Sequence, residues 1–219
     1  MIVVHHLENS RSQRVLWLLE ELGVDYRIQR YARDPVTKLA PAALKKVHPL
    51  GKSPVITDGE RTVAESGAII EYLAERYGDG ALLPAAGSDE ALRCRYWMHY
   101  AEGTLMPLFV MSLIFGRVER APWPVRPIAK AISAQVRKAY LGPNLQTNLE
   151  FVEQELARSS WFAGESLSIA DIQMSFPMEA ASLNGGTPRP RSQAYVERIR
   201  ARPAYQRALE KGGPFDLLS

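Results

Sequence analysis

The period of the apolar residues changes at residues 78–87, and this change constrains the fold more tightly than any one motif. Before it, short β-branched runs alternate with helical stripes. Ile2–Val4 reads as a buried strand, and Ser10–Leu22 as a helix with Val15, Leu16, Leu18, Leu19 and Leu22 on one stripe and Gly23 as its C-cap. Tyr26–Tyr31 reads as a second strand and Leu39–Val47 as a short helix. Pro54–Thr57 and Arg61–Ala64 read as strands joined through an Asp58-Gly59 turn, and Ala68–Tyr77 as a closing helix. The order is β-α-β-α-β-β-α. Residues 78–87, GDGALLPAAG, hold three glycines and one proline without helical spacing and read as a linker. Only helical patterns follow, over residues 88–120, 125–158, 168–183, 193–202 and 203–210, and Pro107 predicts a kink in the first. The expected organisation is an α/β domain over residues 1–79, a linker over 80–87 and an all-α domain over 88–219.

Composition narrows the function. With 46% hydrophobic residues in 219, the chain can bury a real core, so neither a disordered chain nor a disulfide-built miniprotein fits. Lys and Arg number 27 against 24 Asp and Glu, and a surplus of +3 does not argue for a nucleic-acid partner. The single cysteine, Cys94, excludes an intrachain disulfide, a CxxC redox pair and a multi-cysteine zinc site, and it fits a reducing compartment. The opening MIVVHHLENS lacks the basic and long apolar regions of a secretory leader. No stretch approaches the roughly 20 continuous apolar residues of a membrane helix. A cytoplasmic protein without a membrane partner is expected.

Three junctions of the first domain carry residue types suited to a ligand. At Asn9-Ser10-Arg11-Ser12-Gln13-Arg14 a strand hands over to a helix, whose N-terminal N–H groups and dipole favour an anion. Ser10 and Gln13 equally fit an ordinary capping box. At His48-Pro49-Leu50-Gly51-Lys52-Ser53-Pro54-Val55-Ile56 a proline in cis at the start of a strand leaves the Ser53 backbone open to a ligand, while a rigid turn uses the same residues. At Ala64-Glu65-Ser66-Gly67-Ala68, Ser66 and the free N–H groups suit a carboxylate and Glu65 an ammonium, the two ends of an α-amino acid; capping is again the alternative. All three fall where α/β folds place ligands. His5 and His6 end the first strand, where alternation predicts one inward and one outward. No further ligands accompany them, so no metal site is expected.

The segments SRSQRVLWLLEELG, HPLGKSPVI and AESGAIIEYLAERY resemble, in order and spacing, the thioredoxin-like glutathione-binding domain of the cytosolic glutathione transferases. The likeness runs over nearly the whole chain, and the long helices resemble the all-helical second domain of that family. Within them, FAGESLSIAD over Phe162–Asp171 resembles the family's capping box and hydrophobic staple. Ser168 caps, Asp171 sits three residues on, and Leu167 can meet Ile172.

The resemblance implies a role for each junction. Ser10 falls where serine-type members place the hydroxyl that hydrogen-bonds the glutathione sulfur. Ser53 and cis-Pro54 match the backbone clamp on the cysteinyl part, Lys52 the position holding the glycyl carboxylate, and Glu65 with Ser66 the γ-glutamyl recogniser. His5, His6 and Leu7 stand where tyrosine-type members carry a tyrosine, Ser10 where cysteine-type members carry a thiol, and Ser12 is a competing hydroxyl. The implied activity is detoxifying transfer of glutathione, the co-substrate, to a small hydrophobic electrophile, with hydroperoxide reduction in the same site. Leu7, Tyr100, Met106 and Phe109 are the candidate pocket lining, although their spacing also fits a core. A homodimer is implied, with Glu102 reaching across. A binding protein without turnover would use most of the same groups, and a glutathione-dependent isomerase would call for more serines than the two in Asn9–Ser12.

Overall fold

Strand β1 (Ile2–Leu7) is the axis of the first domain. It pairs in parallel with β2 (Tyr26–Tyr31) and antiparallel with β3 (Val55–Asp58), which turns back as β4 (Arg61–Ala64), giving the order β2-β1-β3-β4. A parallel pair needs a crossover, and helix α1 (Ser12–Leu22) supplies it. Its Val15, Leu16, Leu18 and Leu19 are fully buried in one core with Val4, Ile56 and the Ile69, Ile70 and Leu73 face of α2 (Ser66–Tyr77). The β3–β4 turn falls on Gly59-Glu60, one residue later than the sequence suggests, with Gly59 at a φ of 59°. The computed structural model describes residues 1–37, 39–183 and 187–213. The parts of the expected helical domain at 184–186 and 214–219 lie outside them.

Three local expectations are corrected. β1 runs on to Leu7, so His5 and His6 belong to the sheet, and both are buried where alternation predicted one outward. The reason is that both faces of this strand end are covered: His6 meets Ser12 of α1, and His5 meets Tyr31 and Thr57. Helix α1 begins at Ser12 rather than Ser10, and α2 at Ser66 rather than Ala68. Residues 39–47 form no α-helix, only a 3₁₀ turn over Ala42–Lys46, led by Pro41 and too short to propagate.

The second domain is helical throughout its described residues. Helices α3 (Asp89–Tyr100) and α4 (Met106–Val118) are joined by a π-turn over Ala101–Leu105, and α5 (Arg126–Val136) and α6 (Gly142–Glu155) by another over Arg137–Leu141. In each case a proline, Pro107 or Pro143, follows within two residues of the turn's end. The extra residue relieves the clash that a proline ring makes with the carbonyl four residues back, so the predicted kink at Pro107 is a widened turn. α7 (Ile169–Leu183), α8 (Pro190–Arg200) and α9 (Pro203–Gly212) complete the bundle. Trp97, Tyr100, Phe151, Phe162 and Tyr195 form a ring cluster at its centre. The joined run Asp89–Val118 is long and apolar enough, by length and composition alone, to cross a membrane, although residues such as Arg95 and Glu102 keep it from being continuously apolar. Its neutral polar residues interrupt any continuous apolar stretch while leaving the mean hydropathy high.

The start of α7 carries the expected capping residues in a different arrangement. Asp171 accepts from the backbone N–H groups of Ser168 and Phe162, both at 2.9 Å, and the Ser168 hydroxyl donates to the same carboxylate rather than capping the helix itself. Burial outweighs these bonds and raises the Asp171 pKa to about 6. The two domains meet along α1, which packs on α7 and α9. Trp17 stacks edge-on against Tyr205 at 5.4 Å, while buried Glu20 takes Arg207 at 2.8 Å and Lys211 at 2.5 Å.

Candidate active site

The β1–α1 junction places Ser10 just outside the helix. Asn9 before it takes a left-handed φ of 47°, which turns the chain so that Ser10 lies under the first turn of α1. The Ser10 carbonyl accepts from Gln13 N–H at 3.2 Å and its hydroxyl from Ser12 N–H at 3.3 Å, so Ser10 does cap. Gln13 is buried, and its Nε2 has no hydrogen-bond partner among the described residues. The Ser10 hydroxyl has two further neighbours, Ser12 Oγ at 2.8 Å and Ser53 Oγ at 3.5 Å.

Ser53 comes from the second junction. Gly51 precedes it at a φ of 58°, and a Cβ there would stand 2.7 Å from the Lys45 side chain, so glycine is required on both counts. The Ser53–Pro54 peptide is cis, as the resemblance implies, and β3 begins at Val55, which leaves Ser53 outside the ladder. Ser53 Oγ donates to the His5 carbonyl at 3.1 Å, tying this junction to β1. Lys52 points outward and is exposed.

At the third junction Glu65 is exposed, with a φ of 71° that a side chain rarely adopts and that marks strain held at a site. Ser66 is buried, and its hydroxyl accepts from Gln173 Nε2 of α7 at 3.2 Å. Gln173 Oε1 in turn accepts from Arg14 Nη1 at 2.6 Å, and Arg14 Nη2 lies 3.0 Å from Glu102. Arg11 Nε reaches the same carboxylate at 2.9 Å. Burial pushes the Arg14 pKa down to about 10, so the guanidinium remains charged at neutral pH. Both arginines also lie over the Phe176 ring, at 5.3 and 5.1 Å.

Of the three predicted junctions, the first two meet at Ser10 and Ser53, and the third is linked to Arg14 of the first through Gln173 of the facing domain. Sequence reasoning missed Gln173, Arg14 and the pairing of Glu102 with Arg11 and Arg14 of its own chain. Gln173 lies 107 residues from Ser66, and no periodicity or local motif encodes that contact. The proposed pocket residues Leu7, Tyr100, Met106 and Phe109 are all buried. Tyr100 donates to Asn148 and packs among Tyr96, Trp97 and Phe151. Cys94 is buried too, and burial raises its thiol pKa. No group of three or more His, Cys, Asp or Glu side chains among the described residues is arranged to hold a metal.

Comparison with known proteins places this geometry. Residues 10–76 match the N-terminal domain of glutathione S-transferase, and residues 120–203 its C-terminal domain. Glutathione S-transferase 3 of Schizosaccharomyces pombe is 37% identical over 214 residues, covering 96% of this chain and 88% of the relative. A glutathione S-transferase crystal structure from Actinobacillus pleuropneumoniae superposes with a TM-score of 0.82 at 33% identity, over 100% of this chain and 96% of the other. The theta class enzyme of Xanthomonas axonopodis pv. citri, solved with glutathione bound, superposes with a TM-score of 0.74 at 27% identity, over 98% and 99% of the two chains. The thioredoxin-like domain and the helical domain thus have one explanation: the chain belongs to the glutathione S-transferase family, as an enzyme with glutathione for its co-substrate.

Proposed function

We propose that the three junctions form one glutathione site. Ser10 faces the thiol, Ser53 and Pro54 the cysteinyl backbone, Lys52 the glycyl carboxylate, and Glu65 with Ser66 the γ-glutamyl ammonium and carboxylate. The observation that carries this reading is the meeting of the Ser10 and Ser53 hydroxyls, 43 residues apart in sequence, at the N-terminus of α1. A free thiol has a pKa of about 8.5, and both a hydroxyl donor and a helix N-terminus favour its ionised form. The site then supplies a nucleophile and proximity to an electrophile.

The electrophile is a small apolar molecule, and Leu7, Tyr100, Met106 and Phe109 are the side chains proposed to shape its pocket. An activated carbon or a hydroperoxide oxygen is a suitable target, which makes detoxification in the cytoplasm the physiological reading. A homodimer belongs to the same proposal, supported by the exposed apolar side chains of α3 and α4, among them Leu92, Tyr96 and Leu113. Light scattering at twice 24.5 kDa is the expected result; a monomer mass removes it.

Calorimetric titration with glutathione, followed by assays with an aryl halide and an organic hydroperoxide, tests the site. Glu65→Ala is expected to weaken glutathione binding by about tenfold or more, as loss of a charged hydrogen bond does. Ser10→Ala is expected to keep binding within about threefold while turnover falls about a hundredfold, the usual cost of one donor to a developing anion. Absence of glutathione binding by the unaltered protein overturns the proposal.

A further inference from the structure

Ser10 is the outer end of a line of polar groups that leads into the protein. Its hydroxyl is 2.8 Å from Ser12 Oγ, and Ser12 Oγ is 2.9 Å from His6 Nδ1. Ser12 is fully buried, and Ser10 and His6 are 6% and 5% exposed, so no water is needed to explain the chain. The other side of the imidazole faces the Gly212 carbonyl at the end of α9, which also accepts from Arg30 Nη1 at 2.7 Å. Of this line, thiol activation as proposed above uses only the outer hydroxyl.

The shortest contacts give this line an inward direction in the free protein when the His6 proton is on Nε2. With the ring proton on Nε2, the side away from Ser12, Nδ1 offers a lone pair. Ser12 has one proton, and His6 Nδ1 at 2.9 Å is a nearer acceptor for it than the Leu7 carbonyl at 3.3 Å. The Ser12 oxygen then accepts the Ser10 proton, which leaves Ser10 presenting lone pairs to its mouth. A hydroxyl so oriented accepts from S–H and holds sulfur as a thiol. A thiolate requires the opposite direction, with Ser10 donating outward, Ser12 donating to Ser10, and Nδ1 carrying a proton to donate to Ser12.

We propose that His6 and Ser12 are positioning residues forming a relay that takes up the glutathione proton through Ser10; this rests on the assignment of Ser10 to the thiol. The S–H bond breaks as its proton joins Ser10 Oγ, the Ser10 proton passes to Ser12 Oγ, and the Ser12 proton passes to His6 Nδ1. Two O–H bonds and one S–H bond break, two O–H bonds and one N–H bond form, and the S–H electron pair stays on sulfur. No group is oxidised or reduced. The resulting imidazolium donates to Ser12 on one side and Gly212 on the other, so every polar atom in the line keeps a partner.

The surroundings of His6 suit an acceptor that is empty before substrate arrives. Arg30 on β2 opposes its charge, Glu8 just past the end of β1 favours it, and α1 and α9 present the neutral Ser12 hydroxyl and the Gly212 backbone. Burial and Arg30 together lower its pKa to about 4 in the free protein, which opposes protonation, so the relay requires the negative charge of the thiolate formed in the same event to raise it.

The test follows His6 directly. Nitrogen NMR of the imidazole is recorded at pH 7 for the free protein, with glutathione, and with S-methylglutathione, which binds but has no thiol proton. The expected result is a shift toward the imidazolium with glutathione alone. His6→Asn keeps an acceptor for Ser12 but takes up no proton, and Ser12→Ala cuts the line. Each is expected to raise the pKa of bound glutathione, read from thiolate absorbance, by about one unit, or tenfold in thiolate fraction. S-methylglutathione affinity is expected to change less than about twofold. An imidazole that stays neutral with glutathione, or an unchanged or lowered thiol pKa in both variants, overturns the relay. Failure of the Ser10 reading is distinguishable, because it leaves the thiol pKa unchanged in Ser10→Ala.

Discussion

The Ser10 hydroxyl sits where a strand, a helix start and a turn share one point, and each part was legible because each is a local junction with its own residue chemistry. His6 was not. Alternation along a strand says which side chains share a face, but not that both faces are covered, and only the packing of α1 and α9 over the end of β1 buries it. That burial has a measurable consequence of definite sign. The pKa of His6 falls from 6.5 in the unfolded chain to about 4 in the folded one, so the unfolded state binds more protons between those values and stability falls as pH drops below about 6.5. At pH 5 the loss from this group is about 2 kcal/mol relative to pH 7.5. Urea unfolding at both pH values is expected to show that much more acid sensitivity in the unaltered protein than in His6→Asn. Asp171 acts in the opposite direction, since its raised pKa favours the folded state on acidification, so the difference between the two proteins is the informative quantity.

At the scale of elements, strands β2 and β4 fall on the expected residues, because short β-branched runs between turn residues leave little choice of boundary. Helix starts were less legible. Ser10 satisfies first-turn N–H groups from outside α1, so the helix begins two residues later than its apolar stripe suggests. The π-turns had a visible cause in Pro107 and Pro143, but a proline announces only that the regular ladder is interrupted, not how. At α7 the right residues were identified and their bonds misassigned: the carboxylate, not the serine hydroxyl, organises the start. Replacing Asp171 by alanine therefore leaves the buried N–H groups of Phe162 and Ser168 without acceptors. Chemical denaturation of Asp171→Ala is expected to show a loss of about 3 kcal/mol, and a loss within about 0.5 kcal/mol contradicts this account.

For the whole molecule, the two-part organisation follows from the change of period, whereas the contacts joining the parts do not. The pairs Ser66–Gln173, Arg14–Glu102 and Glu20–Lys211 connect side chains far apart in sequence, and each is an ordinary polar residue in its own segment. Helix α1 is the shared element, with one side on the sheet and α2 and the rest under α7 and α9. Its Glu20 is 8% exposed only because Arg207 and Lys211 close over it. A fragment of residues 1–79 is expected to lack cooperative thermal unfolding, since it uncovers Trp17 and strands Glu20 without its cationic partners. A sharp calorimetric transition from that fragment would show that the first domain is self-sufficient. The same docking of α9 on α1 sets an order in time during synthesis. Helix α1 finds its last packing partner only once α9 has been made, after all the other described helices, so the first domain waits, incompletely covered, while the helical domain is synthesised.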